Sequence, residues 1–150
     1  MEKNNYKKFF LMLIISFIVM YSVMFLNVAD SGHIYLSLTR LYMTLLMITP
    51  MAILMLLIMK DMYQDKNKNI LIFLSSITIF VLSLCFLRTQ IFINDTNYMK
   101  AMISHHSSAI LTSQKANIKD PEVKELSKQI IEAQIKEIEQ MKNILNRIKR

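Results

Sequence analysis

The fold of this chain is set by an uncharged stretch, LYMTLLMITPMAILMLLIM, which runs from Leu41 to Met59. A helix needs about 20 apolar residues to cross the hydrocarbon core of a bilayer, and this stretch has that length. Two further stretches without charged side chains flank it, Phe9–Val28 and Ile70–Leu87. Three buried helices in a water-soluble protein would need more amphipathic partner helices than the chain contains. The sequence therefore predicts an all-α protein with three transmembrane helices.

The chain changes character after the third stretch, which divides it into a transmembrane domain, 1–93, and a polar domain, 94–150. Asp95 or Thr96 is expected to N-cap a helix that runs to about Asn117. Asp120 is expected to cap the next helix, with Pro121 at its first position. Apolar residues then recur every three or four positions, at Leu126, Ile130, Ile131, Ile135, Ile138, Met141, Leu145 and Ile148. This pattern predicts an antiparallel two-helix hairpin.

One hairpin cannot enclose a hydrophobic core from both sides. Two solutions remain open at this level, namely association of two copies into a four-helix dimer and docking of the hairpin on the transmembrane domain. We expect the dimer.

The lysines indicate an orientation in the membrane. They precede the first stretch and follow the second, at Lys3, Lys7, Lys8, Lys60, Lys66 and Lys68, whereas the loop 27–34 contains no Lys or Arg. Cytoplasmic loops are enriched in these residues. The sequence thus predicts a multi-pass protein of a bacterial cytoplasmic membrane, with the N-terminus inside and the hairpin outside.

Several function classes are disfavoured by composition. The net charge of +7 derives largely from the topological lysines, and no basic patch interleaved with aromatic residues indicates a nucleic-acid partner. The stretches hold no charged residue of the kind that marks ion-coupled transport. No nucleophile is spaced from a general base as catalysis requires, so we expect no enzyme. The single cysteine, Cys85, excludes an intramolecular disulfide.

A candidate metal site lies in the segment YMKAMISHH, residues 98–106. On an ideal helix Met99, Met102 and His106 share one face, and His105 lies on its flank. If the hairpin folds about Lys119, Met141 approaches the methionines. Thioether sulfur and imidazole nitrogen suit copper and silver better than magnesium or calcium.

The same register brings Gln134 and Glu137 towards the histidines. A plainer interpretation remains open, in which the methionines fill a core and the histidines are surface polar residues. The loop residue His33 is either an auxiliary ligand or a solvated side chain.

Residues 95–146 resemble the family called domain of unknown function 305, through Asp95–His106, the segment Asp120–Val123 and the apolar pattern that follows. The resemblance implies a ferritin-like half bundle outside the cytoplasm, without established enzymatic activity, in which some members bind copper or silver. Five residues match its ligand-type positions: Met99, Met102, His105, His106 and Met141. The chain departs from the family pattern at Ser108 and Thr112, where methionine is common, and at Ser104, where proline is common.

Together these observations favour a membrane protein whose hairpin binds or buffers a soft metal ion, Cu(I) or silver, and serves a metal-handling protein partner. The first alternative is a non-catalytic interaction module that dimerises through the hairpin. The second is a metal permease, because methionines recur every four residues in the middle stretch, at Met43, Met47, Met51, Met55 and Met59.

Overall fold

A computed structural model describes residues 2–148 of the chain, with side chains from residue 5 onward. The side chain of Lys3, which entered the orientation argument, is not among those described. Residues 1 and 149–150, at the outer ends of the two predicted domains, lie outside the described part of the chain. The described part is all-α, as predicted. Its helices are α1 (Glu2–Val23), α2 (Leu38–Ile58), α3 (Lys66–Thr89), α4 (Asp95–Lys115) and α5 (Pro121–Ile148), with a short 3-10 helix, Ser31–His33, between α1 and α2.

Three of these helices are long and apolar enough to cross a membrane, over Asn5–Val23, Leu38–Ile58 and Lys66–Thr89. This confirms the predicted membrane-length helices. The first one ends five residues before the predicted boundary at Val28, and the amide of Leu26 turns back to the carbonyl of Val23 at 3.0 Å. The uncharged stretch thus extends beyond the end of the helix, and Phe25 in this extension is buried.

The chain forms two compact units. The first contains the residues up to Ser22 together with Thr39–Phe92, and therefore holds the three membrane-length helices. The second combines the loop region Val23–Leu38 with the residues from Ile93 onward. It is therefore discontinuous in sequence, since it adds a segment between α1 and α2 to the predicted hairpin.

Within the first unit, many of the buried positions are small or hydroxyl-bearing. Thr44, Thr49 and Ala52 are buried on α2, and Ser76 and Ser83 on α3. Small residues let helices approach closely in lipid, where burial of apolar side chains brings no gain over contact with acyl chains. Two hydroxyls return to their own helix, from Thr44 to the Arg40 carbonyl and from Thr49 to the Leu45 carbonyl, each at 2.9 Å.

One end of this unit is closed by a polar and aromatic cluster. The Tyr6 hydroxyl lies 2.8 Å from Asn69 Oδ1 and accepts a hydrogen bond from the Asp65 amide at 3.1 Å. The rings of Tyr6 and Tyr63 lie 5.4 Å apart, and Asn69 donates to the Tyr63 carbonyl. Burial raises the pKa of the Tyr63 hydroxyl. A hydrogen bond from the Lys68 side chain holds the pKa of Asp65 below its ordinary value.

The second unit is built on the antiparallel pair α4 and α5. Asn94 caps α4 by accepting from the Asn97 amide at 2.9 Å, one residue before the predicted cap. Asp120 caps α5 as predicted, with its carboxylate accepting from the amides of residues 122 and 123. A hydrophobic seam joins the helices through Met99, Ile103, Ile110, Ile138 and Leu145.

Candidate metal centre

His106 lies in the α4–α5 seam with both ring nitrogens engaged. Its Nδ1 is 2.9 Å from the carbonyl oxygen of Met102, one turn earlier in α4. Its Nε2 is 2.6 Å from Oε2 of Glu137 on α5. The side chain of His106 is 10% exposed and that of Glu137 is 55% exposed. A buried imidazole is thus held in place by its own helix and by a carboxylate at the surface.

These contacts determine the hydrogen on Nδ1. A carbonyl oxygen can only accept, so Nδ1 of His106 carries a hydrogen and donates it to Met102. By the same reasoning Nε2 donates to the Glu137 carboxylate, which also only accepts, so this nitrogen could bind a metal ion only after that hydrogen is released. Metal-bound histidines commonly donate their second N–H to a backbone carbonyl in this way, which fixes the orientation of the ligating nitrogen.

The methionines meet His106 in a cleft of about 550 Å³ between α4 and α5. Its walls include Met99, Met102, His106, Glu137 and Met141, together with Asp95, Tyr98, Gln140, Ile144, Arg147 and Ile148. Met99 is also buried in the hydrophobic seam, at 6% exposure. Four of the five sequence-predicted site residues therefore line one cleft.

The fifth predicted residue, His105, is not brought to this cleft. Its side chain is exposed, and its ring centroid lies 5.9 Å from that of His106 at an interplanar angle of 68°. Adjacent helical residues are separated by about 100°, so the tandem histidines face different directions. Only His106 faces α5.

The predicted register of the hairpin is confirmed for Glu137, which contacts His106. Met141 reaches the methionine end of the cleft, also as expected. Gln134 lies one turn before Glu137, and its buried Oε1 has no hydrogen-bond partner among the described residues. Sequence spacing alone was sufficient here because both helices are regular and the turn between them is short.

A second contact surface, which the sequence did not reveal, lies on another face of α4. Asn27 donates to the Ser108 hydroxyl, and the amide of Ala29 donates to the Ser107 hydroxyl, each at 2.8 Å. Ser104 donates to the carbonyl of His33 at 2.7 Å. The loop between α1 and α2 thus covers a face of the hairpin. The available signal was the spacing of these serines, which places all three on one side of a helix.

His33 belongs to this loop contact. Its Nδ1 lies 2.9 Å from the Ser107 hydroxyl, and it does not line the methionine cleft. Burial lowers the pKa of His33, and the positive charge of Lys142 lowers it further, while Asp30 acts in the opposite direction. The neutral ring is therefore favoured.

The methionine series of α2 does not follow one face of the helix. Met43 and Met47 are 40% and 48% exposed, whereas Met55 is buried at 9%. Residues spaced by four advance about 40° round a helix at each step. The sulfurs are consequently distributed between the inside and the outside of the unit.

Ligands for harder ions are sparse in the described part of the chain. Between residues 2 and 148, no group of three or more His, Cys, Asp or Glu side chains is arranged to hold a metal ion.

Three helices long and apolar enough to span a membrane, together with a polar helical hairpin, indicate a helical membrane protein. Residues 89–149 match the family model described as Domain of unknown function (DUF305). This confirms the resemblance drawn from residues 95–146.

The similarity extends over the membrane-length helices. The chain is 37% identical over 145 residues to "Uncharacterized protein L153" of Acanthamoeba polyphaga mimivirus, and the match covers 95% of this chain and 93% of the viral protein. The chain therefore belongs to the family of this viral protein and carries a DUF305 domain. No solved structure matches it significantly.

Proposed function

We propose that the hairpin binds a soft metal ion, Cu(I) or Ag(I), in the α4–α5 cleft without turning over a substrate. The observation that carries this proposal is the hydrogen bond from His106 Nδ1 to the Met102 carbonyl, at 2.9 Å. It leaves Nε2 as the nitrogen available to a metal ion once its contact with Glu137 opens and its hydrogen is released, next to a cleft lined by three methionines. Nitrogen and thioether sulfur are donors that soft ions prefer.

The ion would be held by His106, Met102 and Met141, with Met99 as a further donor from the seam. Glu137 competes for His106 Nε2 in the metal-free protein, and its exposed side chain can turn away to water. The proposal does not include His105, which is exposed and lies outside the cleft. A substitution of His105 therefore serves as the matched control for a substitution of His106.

The proposed setting is the outer side of a membrane, with the N-terminus inside. The distribution of lysines supports this orientation. There the hairpin would buffer the ion or hand it to a metal-handling protein.

The test is a titration of the full-length protein in detergent with Ag(I), which binds like Cu(I) and does not change oxidation state. We compare His106→Gln with His105→Gln, and Met102→Leu with Met47→Leu. We expect one tight site per chain, weakened at least tenfold by the first substitution of each pair and unchanged by the second. X-ray absorption should report nitrogen and sulfur ligands in the unmodified protein.

Equal affinity of the His106 and His105 variants would refute the proposal. Circular dichroism of the metal-free variants separates a lost ligand from a lost fold, since a ligand role leaves helix content intact. Met47 lies outside the DUF305 domain. Its variant therefore also controls for Ag(I) binding by the other methionines of a chain that contains 13 of them.

A dimerisation module is the second candidate. The apolar side chains at the cleft rim support it, because Tyr98 is 53% exposed and Ile148 is 47% exposed. A second copy could cover them. Light scattering of the full-length protein, with and without Ag(I), distinguishes the candidates: this one predicts a dimer that does not depend on metal.

A further inference from the structure

The membrane-spanning unit contains an apolar groove between its three helices. The groove has a volume of about 580 Å³. Its walls include Phe10, Ile14 and Phe17 from α1, and Leu71, Ser75 and Ile79 from α3, with α2 forming the remaining side. Phe10, Ile14 and Leu71 are more than half exposed, so the groove opens towards the surroundings of the unit.

Two of the three hydroxyl groups that line the groove are bonded to their own helices. Thr49 on α2 donates to the Leu45 carbonyl at 2.9 Å, and Ser75 on α3 donates to the Ile72 carbonyl at 3.0 Å. Hydroxyl groups bonded in this way to their own helix present mainly carbon to the groove. An occupant of the groove is therefore apolar over most of its length.

One end of the groove is cationic. Lys7 lies three, seven and ten residues before Phe10, Ile14 and Phe17, a spacing that places all four on one face of α1. Lys68 precedes Leu71 by three residues on α3, and its Nζ lies 5.0 Å from the ring centroid of Tyr6, the neighbour of Lys7. Lys68 is already ion-paired with Asp65, so the exposed Lys7 is the principal amino group at this end of the groove.

We propose that this groove binds an anionic phospholipid, with one acyl chain along α1 and α3 and the phosphate at Lys7, beside the ion pair of Lys68 and Asp65. The combination of an apolar groove and a cationic end matches both parts of such a molecule. Lysines beside a membrane-spanning helix attract anionic headgroups. The inference is independent of the metal site and rests on the three helices crossing a bilayer.

The test uses the full-length protein, delipidated in detergent, and two lipids with identical acyl chains. Phosphatidylglycerol carries a net negative charge and phosphatidylcholine does not. We expect phosphatidylglycerol to be retained in native mass spectrometry and to raise the melting temperature more than phosphatidylcholine does. Lys7→Gln should weaken retention of phosphatidylglycerol about fivefold. Lys8→Gln should leave it unchanged, because Lys8 lies about 100° further round α1.

A second pair of variants tests the acyl-chain half of the proposal. Ile14 lines the groove and Ile15 does not, although both are exposed. Ile14→Trp should fill the groove and abolish retention of the lipid, whereas Ile15→Trp should retain it. Helix content by circular dichroism checks that each variant is folded.

Three outcomes would overturn the proposal. Equal retention of the two lipids, or equal behaviour of the Lys7 and Lys8 variants, would remove the headgroup contact. A dimer that Ile14→Trp converts to a monomer, with no dependence on lipid charge, would assign the groove to a second copy of the chain instead.

Discussion

In the membrane-spanning unit, long-range side-chain hydrogen bonds lie at the ends of helices, whereas in the hairpin unit they lie along the middle of one. Tyr6, Asn69 and Asp65 meet at one end of the first unit. In the second unit, His106 and the loop-binding serines occupy the centre of α4, on either side of a continuous apolar seam. Both units are built from α-helices, but the side-chain hydrogen bonds lie at helix ends in the first unit and at the centre of a helix in the second.

We attribute this difference to the surroundings of each unit, which are water for the hairpin and acyl chains for the membrane-length helices. In water, removing the seam residues from solvent drives α4 and α5 together. Between acyl chains that driving force is absent, so hydrogen bonds and small side chains must specify how helices pair. The seam should therefore dominate the stability of the hairpin, and the terminal cluster should dominate that of the membrane-spanning unit.

The largest effect is expected from Ile103→Ala. Ile103 is fully buried in the α4–α5 seam, and its truncation should lower the free energy of unfolding of the hairpin by about 3 kcal/mol. Hydrogen exchange by mass spectrometry should show faster exchange in α4 and α5 and unchanged exchange in α1 to α3. The control is Leu126→Ala, at a position that is 55% exposed. Faster exchange throughout the chain would contradict two separately stabilised units.

An intermediate effect is expected from Tyr6→Phe. The substitution leaves the Asp65 amide and Asn69 without the hydroxyl that they contact, at a cost of about 1–2 kcal/mol. Thermal unfolding in detergent should shift downwards, and exchange should accelerate in residues 63–69. Val19→Ala, at a half-exposed position further along the same helix, should have little effect. If both variants behave alike, the terminal cluster does not specify the packing.

The smallest effect is the pH dependence of the loop contact. The pKa of His33 is lowered from 6.5 in the folded protein by burial and then by Lys142, so the unfolded loop binds a proton more readily. Contact between the loop and α4 should therefore weaken as the pH falls below 6.5, and should not change with pH above it. Because the ring is partly exposed, we expect well under about 1 kcal/mol.

Hydrogen exchange of residues 27–33, corrected for intrinsic rates, measures this dependence. Asp30, Glu139 and Lys142 are the other ionisable groups around the ring. The variant His33→Asn should abolish the pH dependence between 6.5 and the lowered value. A slope that persists in this variant would assign the effect to one of those neighbours.

The helices could be predicted from sequence because each one is encoded locally. Charge-free length identified α1 to α3, and the three-to-four periodicity with Asp120 and Pro121 identified α5. The loop contact could not be predicted, because Asn27, Ala29 and His33 carry no periodic pattern. Their partners lie 71 to 81 residues away, and such pairing depends on the assembled fold.

The site was predictable to the level of helix faces. The register of the hairpin correctly paired Glu137 with His106, and helical spacing placed His105 on the flank. Spacing does not reveal which histidine nitrogen is occupied, since that depends on the Met102 carbonyl. The departures from the family pattern at Ser104 and Ser108 acquire a physical reason only in the structure, where both hydroxyls contact the α1–α2 loop.

The loop on α4 has a consequence for biogenesis. Its residues are synthesised some 70 residues before the serines they contact, with two membrane-length helices in between. Closing so long a segment is slow compared with forming a local hairpin. The nascent chain must therefore leave Asn27 to His33 unpaired until α4 has emerged, so this contact forms late in maturation. In that interval the backbone of the loop is open to a protease or a chaperone.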